Sequence, residues 1–262
     1  MHRFFVPDLD PAAAQIRLPD AEARHALRVL RLRPGAEVRI LDGAGLELET
    51  RVGRADRSHV VLEVLGRVSH TPPPCSLQLI QAMAKGPAME GLLHRAVELG
   101  CTRLVPVCAT RSVSRPGDAV ARQARWQSLA HEALKQSGNP WCLQVGSPCT
   151  PAEWLARGSP PELLFIASLA DPPASPRAAL GAAAERLGRP PASVAVAIGP
   201  EGDFTAEEYA QFRAAGAVPF RLGPHVLRVE TAAIAALAIL RHEVDALGAG
   251  DAGSPPAAPR NL

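Results

Sequence analysis

Two segments in the second half of the chain hold the residue types from which a small-ligand site is built. In VAVAIGPEGDFTAEEY (194–209) an apolar strand candidate runs straight into Gly199-Pro200-Glu201-Gly202, and a helix begins after Thr205. Thr205 with Glu208 three positions later has the form of a capping box, the signature of a helix N-terminus. A strand, a glycine-rich turn and a helix start leave backbone N–H groups facing a ligand, and glycines let the backbone approach it closely. On these grounds alone the segment is equally well a tight strand-to-helix connection. In FRLGPHVLRVETAAIAALAIL (220–240) a second strand ends at Leu222-Gly223. A loop then passes through Val226, Leu227 and Arg228, and a long Ala-rich helix starts at Thr231. That helix is apolar nearly all round, so burial is expected on more than one side, against a sheet or a partner subunit. Loops of this kind can wrap an adenine with main-chain contacts and aliphatic walls, the usual lining of small-ligand sites.

Basic residues form a second set. Arg24, Arg28 and Arg31 fall at i, i+4 and i+7, so they share one face of a predicted helix. Three co-facial arginines can track phosphates; a solvated helix face is the competing reading. The net charge of +2 is too small to announce a nucleic-acid binder, so any such contact must come from local clustering. The cysteines and histidines give no metal site. Cys101/Cys108 and Cys142/Cys149 each enclose six residues, no C-x-x-C pair exists, and no His pair has helical i, i+4 spacing. Five cysteines also leave no closed disulfide framework, which fits a reducing compartment. GAGDAG (248–253) has the G-x-G-x-x-G form but neither a preceding strand nor a following helix, and is set aside.

The elements that must position these residues fall into two textures, divided by the proline run His70-Thr71-Pro72-Pro73-Pro74. Before it, short alternating segments at 3–6, 38–43, 46–52 and 58–68 read as strands, with one helix over 21–32. That pattern fits a small, partly closed barrel. After it, apolar strands at 76–83, 103–109, 163–169, 193–199 and 218–223 alternate with helices at 89–99, 119–136, 206–215 and 231–247. This alternation predicts an α/β domain with a parallel sheet covered on both faces. The expected layout is residues 1–70, residues 75–247 and a disordered Gly-, Ala- and Pro-rich tail over 248–262. The N-terminus carries acidic residues where a signal peptide needs an apolar run, and the longest apolar stretch is too short to span a bilayer. A soluble protein of the cytoplasm is expected.

Taken together, the GPEG-D-F-T-x-E-E and LGP-x-V-L-R-x-E-T-A segments resemble the knotted SPOUT class of methyltransferases. More narrowly, they resemble the ribosomal RNA small subunit methyltransferase E family, which methylates uridine N3 in 16S rRNA. RFFV, HALRVLRLRPG (25–35), QAMAKGPAME (81–90), AVELGCTRLVPVCATRSV (96–113) and EALKQSG (132–138) carry the likeness along the chain in order. The resemblance implies a PUA-like β-barrel, a C-terminal α/β domain with a trefoil knot, a homodimer, and S-adenosyl-L-methionine held in the knot loops. The implied cofactor contacts are Leu169, Ile198, Gly199, Pro200, Glu201 and Gly202, then Leu222, Gly223, Val226, Leu227 and Thr231. Arg3, Lys85, Arg111, Arg115 and Lys135 lie in matching blocks and join Arg24, Arg28 and Arg31 as RNA-binding candidates. The chain departs from the family pattern at Asp203, where a third glycine is usual, and at Asn139, His225 and Val229.

Methylating uridine N3 requires removal of a proton and stabilisation of the resulting anion. Arg228 is the candidate cation and Glu201 or Glu230 the candidate base. Each carboxylate has a plainer role open to it, Glu201 in orienting the cofactor loop and Glu230 in favouring a helix N-terminus. The competing functions are a ribose 2′-O-methyltransferase of the same fold, a non-catalytic RNA-binding relative, and a nucleotide-binding α/β protein. The last lacks a G-x-x-x-x-G-K-[ST] loop.

Overall fold

The alternating segments before the proline run fold as strands β1 (His2–Phe5), β3 (Glu37–Leu41), β4 (Leu46–Ala55) and β5 (Val60–Ser69), and a short strand that the pattern does not predict, β2 (Gln15–Arg17), joins them. The computed structural model describes residues 1–56, 58–84, 86–113, 118–169 and 172–249. Lys85, Arg115 and residues 250–262, with most of the GAGDAG segment and of the expected tail, lie outside the described residues. The five strands form one sheet in the order β1-β3-β4-β5-β2, antiparallel except for the β1–β3 pair. Their inward residues, among them Phe4, Ile16, Val38, Ile40, Leu48, Val52 and Leu62, enclose a core of their own.

The helix expected over 21–32 is interrupted. α1 (Asp20–Arg24) passes directly into a π-helical turn over His25–Val29, and Arg31 beyond it takes a left-handed φ of +52°. A π turn holds more residues than an α turn, so the i, i+4, i+7 rule of a straight α-helix fails here. Arg24 and Arg28 are exposed on the helical segment, whereas Arg31 stands past its end. The three arginines do not form a single α-helical face.

After the prolines, apolar strands and helices alternate as expected. The order is β6 (Ser76–Ala82), α2 (Gly86–Glu98), β7 (Arg103–Val107), α3 (Ala119–Ser137), β8 (Gln144–Val145) and α4 (Pro151–Leu155). It continues with β9 (Leu163–Ala167), α5 (Pro176–Leu187), β10 (Ser193–Ile198), α6 (Ala206–Ala214), β11 (Val218–Phe220) and α7 (Val229–Ala249). The strands make one wholly parallel sheet in the order β11-β9-β10-β6-β7-β8. Alternate residues feed two cores. Leu77, Leu79, Val194 and Val196 face α2, α3 and α7, while Ile80, Val105 and Ala195 share the other core with Trp154 of α4 and Phe212 of α6. α7 starts two residues before Thr231 and buries Ala233, Ala236, Leu237 and Leu240.

The two sheets meet at α3. Arg3 donates to the carbonyls of Lys135 and Gln136 at the end of that helix, and Lys135 Nζ lies 2.7 Å from Glu22 Oε1. Phe5 stacks on His131 with ring centroids 4.2 Å apart. Gly45 abuts Trp141 so closely that a Cβ there would stand 2.4 Å from the indole. Asn139 closes the adjoining turn, donating to Val97 O and accepting from Trp141 N.

Candidate active site

The C-terminal ends of β9, β10 and β11 lie side by side, and the loops leaving them enclose a cavity of about 340 Å³. Ligands of open α/β sheets bind outside these carboxyl ends, where backbone groups are unpaired. The walls are mostly aliphatic. Leu169 follows β9, Ile198 ends β10, and Leu222, Val226 and Leu227 come from the loop between β11 and α7. Ser168, Glu201, Asp203, Tyr209, His225 and Arg228 add polar groups to the lining. Leu169 and Val226 remain 47% and 81% exposed, so apolar surface is open beside the cavity.

The turn after β10 is held from several sides. Asp203 adopts a left-handed φ of +61°, the conformation that glycine takes at least cost. Its Oδ1 compensates by accepting from Phe204 N and Tyr209 Oη, both at 2.8 Å. A Cβ on Gly199 would stand only 3.0 Å from that same oxygen, so the turn is built around a bare backbone there. Arg111 Nη1 donates to Gly202 O at 3.1 Å and braces the loop from outside.

Thr205 and Glu208 form the capping box that the sequence predicts. Glu208 does more than cap. It is buried, and its Oε1 accepts from both the backbone N and the Oγ1 of Thr110, joining the loop after β7 to the start of α6. A buried carboxylate is tolerated only when its oxygens are satisfied in this way. On the opposite side, Arg221 Nη2 donates to Leu169 O at 2.8 Å and ties the β9 loop to the β11 loop.

Comparison with known proteins gives this cavity a context. A family model for an RNA methyltransferase domain matches residues 71–241, and one for an RNA methyltransferase PUA domain matches residues 18–65. A Synechocystis protein named ribosomal RNA small subunit methyltransferase E is 31% identical over 229 residues, covering 86% of this chain and 72% of that protein. The chain belongs to the ribosomal RNA small subunit methyltransferase E family. A solved family member from Neisseria gonorrhoeae, bound to S-adenosyl methionine, superposes with a TM-score of 0.80 at 31% identity, covering 92% of this chain and 97% of the other. A methyltransferase from Legionella pneumophila, in complex with the bound cofactor SAM, also gives a TM-score of 0.80, at 25% identity. Its match covers 92% of this chain and 96% of that one.

Within this methyltransferase E fold, Leu169, Ile198, Gly199, Pro200, Glu201, Leu222, Val226 and Leu227 line the cavity. Gly202, Gly223 and Thr231 do not. Gly202 lies behind the turn against Arg111, Gly223 takes a φ of +148° in the β11 loop, and Thr231 is exposed on α7. Arg228 and Glu201 share the cavity, whereas Glu230 falls in the first turn of α7, outside the lining. The sequence reading omits Ala167, Ser168, Asp203, Tyr209, Phe220, His225, Val229 and Ala232 from the cofactor residues, yet all line the cavity. Tyr209 is the sole tyrosine of the chain and lies one turn after the Thr205 cap, a position that would have marked it. Arg3 and Lys135 occupy the junction between the sheets, and Arg111 supports the loop after β10.

Among the described residues, no group of three or more His, Cys, Asp or Glu side chains is placed to hold a metal ion. Burial pushes the thiols of Cys75 and Cys142 up to about 11 and that of Cys101 up to about 12. All five cysteines are free thiols.

Proposed function

We propose that the protein transfers a methyl group from S-adenosyl-L-methionine to the N3 position of a specific uridine in 16S rRNA of the small ribosomal subunit. The observation that carries this reading is the cavity at the ends of β9, β10 and β11, where an aliphatic wall meets Glu201 and Arg228. The residues present fit the cofactor. Leu222 and Leu227 offer apolar faces to an adenine, the bare backbone at Gly199 admits close approach, and the carboxylates of Glu201 and Asp203 suit a cationic ligand.

When bound, S-adenosylmethionine supplies an electrophilic sulfonium methyl, so positioning of the acceptor accounts for much of the acceleration. The chain's own residues act on the uridine. Glu201 accepts the N3 proton as the N3–H bond breaks, and Arg228 stabilises the negative charge that spreads to the uracil oxygens. Deprotonation leaves the N3 lone pair available to the methyl that the bound cofactor would supply, whose carbon–sulfur bond would break to leave a neutral thioether. Glu230, in the first turn of α7, favours the positive end of that helix.

The sheet of β1 to β5, over residues 1–70, serves as an RNA-binding unit with Arg24, Arg28 and Arg31 toward the substrate. Residues 75–247 form the catalytic unit. Two copies pair through the outer row of α7, where Ala238, Ile239 and His242 are exposed. Among the described residues no helix is long and apolar enough to cross a membrane, and the site of action is the cytoplasm, where ribosomal subunits are assembled.

The test is transfer from labelled S-adenosylmethionine to small subunits that lack the modification. Arg228→Ala is expected to lower the transfer rate on the order of a hundredfold, as removal of one oxyanion donor does, while cofactor affinity measured by calorimetry stays within a few fold. Unchanged transfer by Arg228→Ala would remove this residue from the mechanism.

A further inference from the structure

Parallel sheets covered on both faces carry near-continuous apolar strands, and one row of this sheet breaks that pattern. Gln78 on β6 pairs with Arg103 on β7, and Arg103 pairs with Gln144 on β8, so three polar side chains stand abreast on one face. It is the face that packs Ile80 and Val105 against α4 and α6. Beside this row stand α4, five residues long and followed by the turn Arg157-Gly158-Ser159-Pro160, and the first turns of α3, whose Gln123 donates to Val145 O.

Between the row and the end of α4 lies a concavity of about 220 Å³, bordered by Gln78, Arg103, Trp154 and Arg157. A second, open concavity of about 520 Å³, bordered by Gln123, Gln144 and Ser147, shares Arg103 and Arg157 with the first. Among the described residues, no acidic side chain borders either one. Both arginines are exposed, and among the described residues neither guanidinium makes a hydrogen bond or an ion pair. Glu153, one turn before Arg157, accepts from the backbone N of Thr150 and feels the Arg157 charge, but makes no ion pair with it and lies outside both linings. This site is at the amino-terminal ends of β7 and β9, whereas the methyl-donor cavity is at the carboxyl ends of β9, β10 and β11.

We propose that this two-arginine groove holds the sugar–phosphate backbone of the RNA substrate at a second point, remote from the methylated base. The inference rests on the rRNA methyltransferase reading above. Guanidinium groups bind phosphate through paired parallel hydrogen bonds. Two adjoining open concavities joined by unpaired arginines suit a strand that passes along the surface, with Gln and Ser donors for sugars and non-bridging oxygens. A free phosphate or nucleotide would call for one enclosed cradle of convergent donors.

The experiment compares wild type, Arg103→Ala/Arg157→Ala and Arg103→Lys/Arg157→Lys for equilibrium binding to 16S rRNA over a range of salt, with methyl transfer to small subunits measured in parallel. The alanine pair is expected to weaken RNA binding roughly tenfold and to reduce the salt slope by about 2, one unit per lost phosphate contact. The lysine pair retains the slope and loses part of the affinity. S-adenosylmethionine affinity and thermal midpoint stay at wild-type values in both variants, because both side chains are exposed. An alanine pair with wild-type affinity and slope, beside a wild type that methylates subunits, overturns the groove and leaves the activity standing. Loss of inorganic phosphate binding by the alanine pair, with RNA affinity unchanged, also overturns it and assigns the arginines to a free anion. A wild type that transfers no methyl to competent subunits fails the parent reading instead, and the groove with it.

Discussion

At position 203 an aspartate occupies a backbone conformation that glycine fills at least cost, and its side chain supplies the reason it is accommodated. Oδ1 takes two hydrogen bonds, one from Phe204 N and one from Tyr209 Oη, that glycine would not make. Asp203→Ala keeps the left-handed strain and removes both bonds, so a loss of about 1–3 kcal/mol is expected. Asp203→Gly loses the bonds but relieves the strain and should cost less. Denaturant unfolding of both variants checks the order, and a more stable alanine variant would contradict it. The cysteines give a second expectation at this scale. Thiols held up to about 11 or 12 are protonated at pH 8, and only the thiolate is a competent nucleophile. Cys75, Cys101 and Cys142 should therefore resist iodoacetamide in the native protein and react once it is unfolded, as read by peptide mass spectrometry. Rapid native alkylation at these three positions would show that the burial is wrong.

α3 is the element that couples the two halves, and its partners come from residues far apart in sequence. Burial and the nearby charge of Lys135 hold the His131 imidazole below its usual range. The unfolded chain therefore binds that proton more readily than the native one, so stability falls as pH drops below about 6.5 and levels off once the native imidazole is also protonated. His131→Phe keeps a ring against Phe5 and should flatten that slope between pH 7 and 5 in thermal unfolding; an unaltered slope would place its origin elsewhere. This coupling was not legible in the sequence, because Glu22 and Lys135 or Gly45 and Trp141 share no local pattern. The strands β6, β7, β9 and β10 were legible as apolar runs, and α6 through its capping box. α5 was missed because its stripe is built of alanines, although Ser175, Pro176 and Gly188 mark both its ends. β2 and β8 are too short to show an alternation, and the π turn after α1 has no periodic signature, which misplaced Arg31. At the site, the loop residues were legible as glycine and leucine clusters. Ser168 and Phe220 were not, since each reaches the cavity from a strand end, whereas Tyr209 carried a signal in its place one turn after the Thr205 cap.

Across the whole molecule, the parallel sheet gathers three loops at one end and leaves a groove with two arginines at the other, with a five-stranded sheet joined through α3. The knot implied by the family resemblance has no periodic counterpart, since a threaded path breaks the rule that connections do not cross through loops. The most direct measurement is to incubate the purified protein with labelled S-adenosylmethionine and unmodified small subunits, digest the RNA, and identify the labelled nucleoside by chromatography and mass spectrometry. Label is expected in 3-methyluridine at a single 16S position, greatly reduced with Arg228→Ala. Label in a 2′-O-methylated nucleoside, or none from a protein shown to bind the cofactor, would contradict the proposed function.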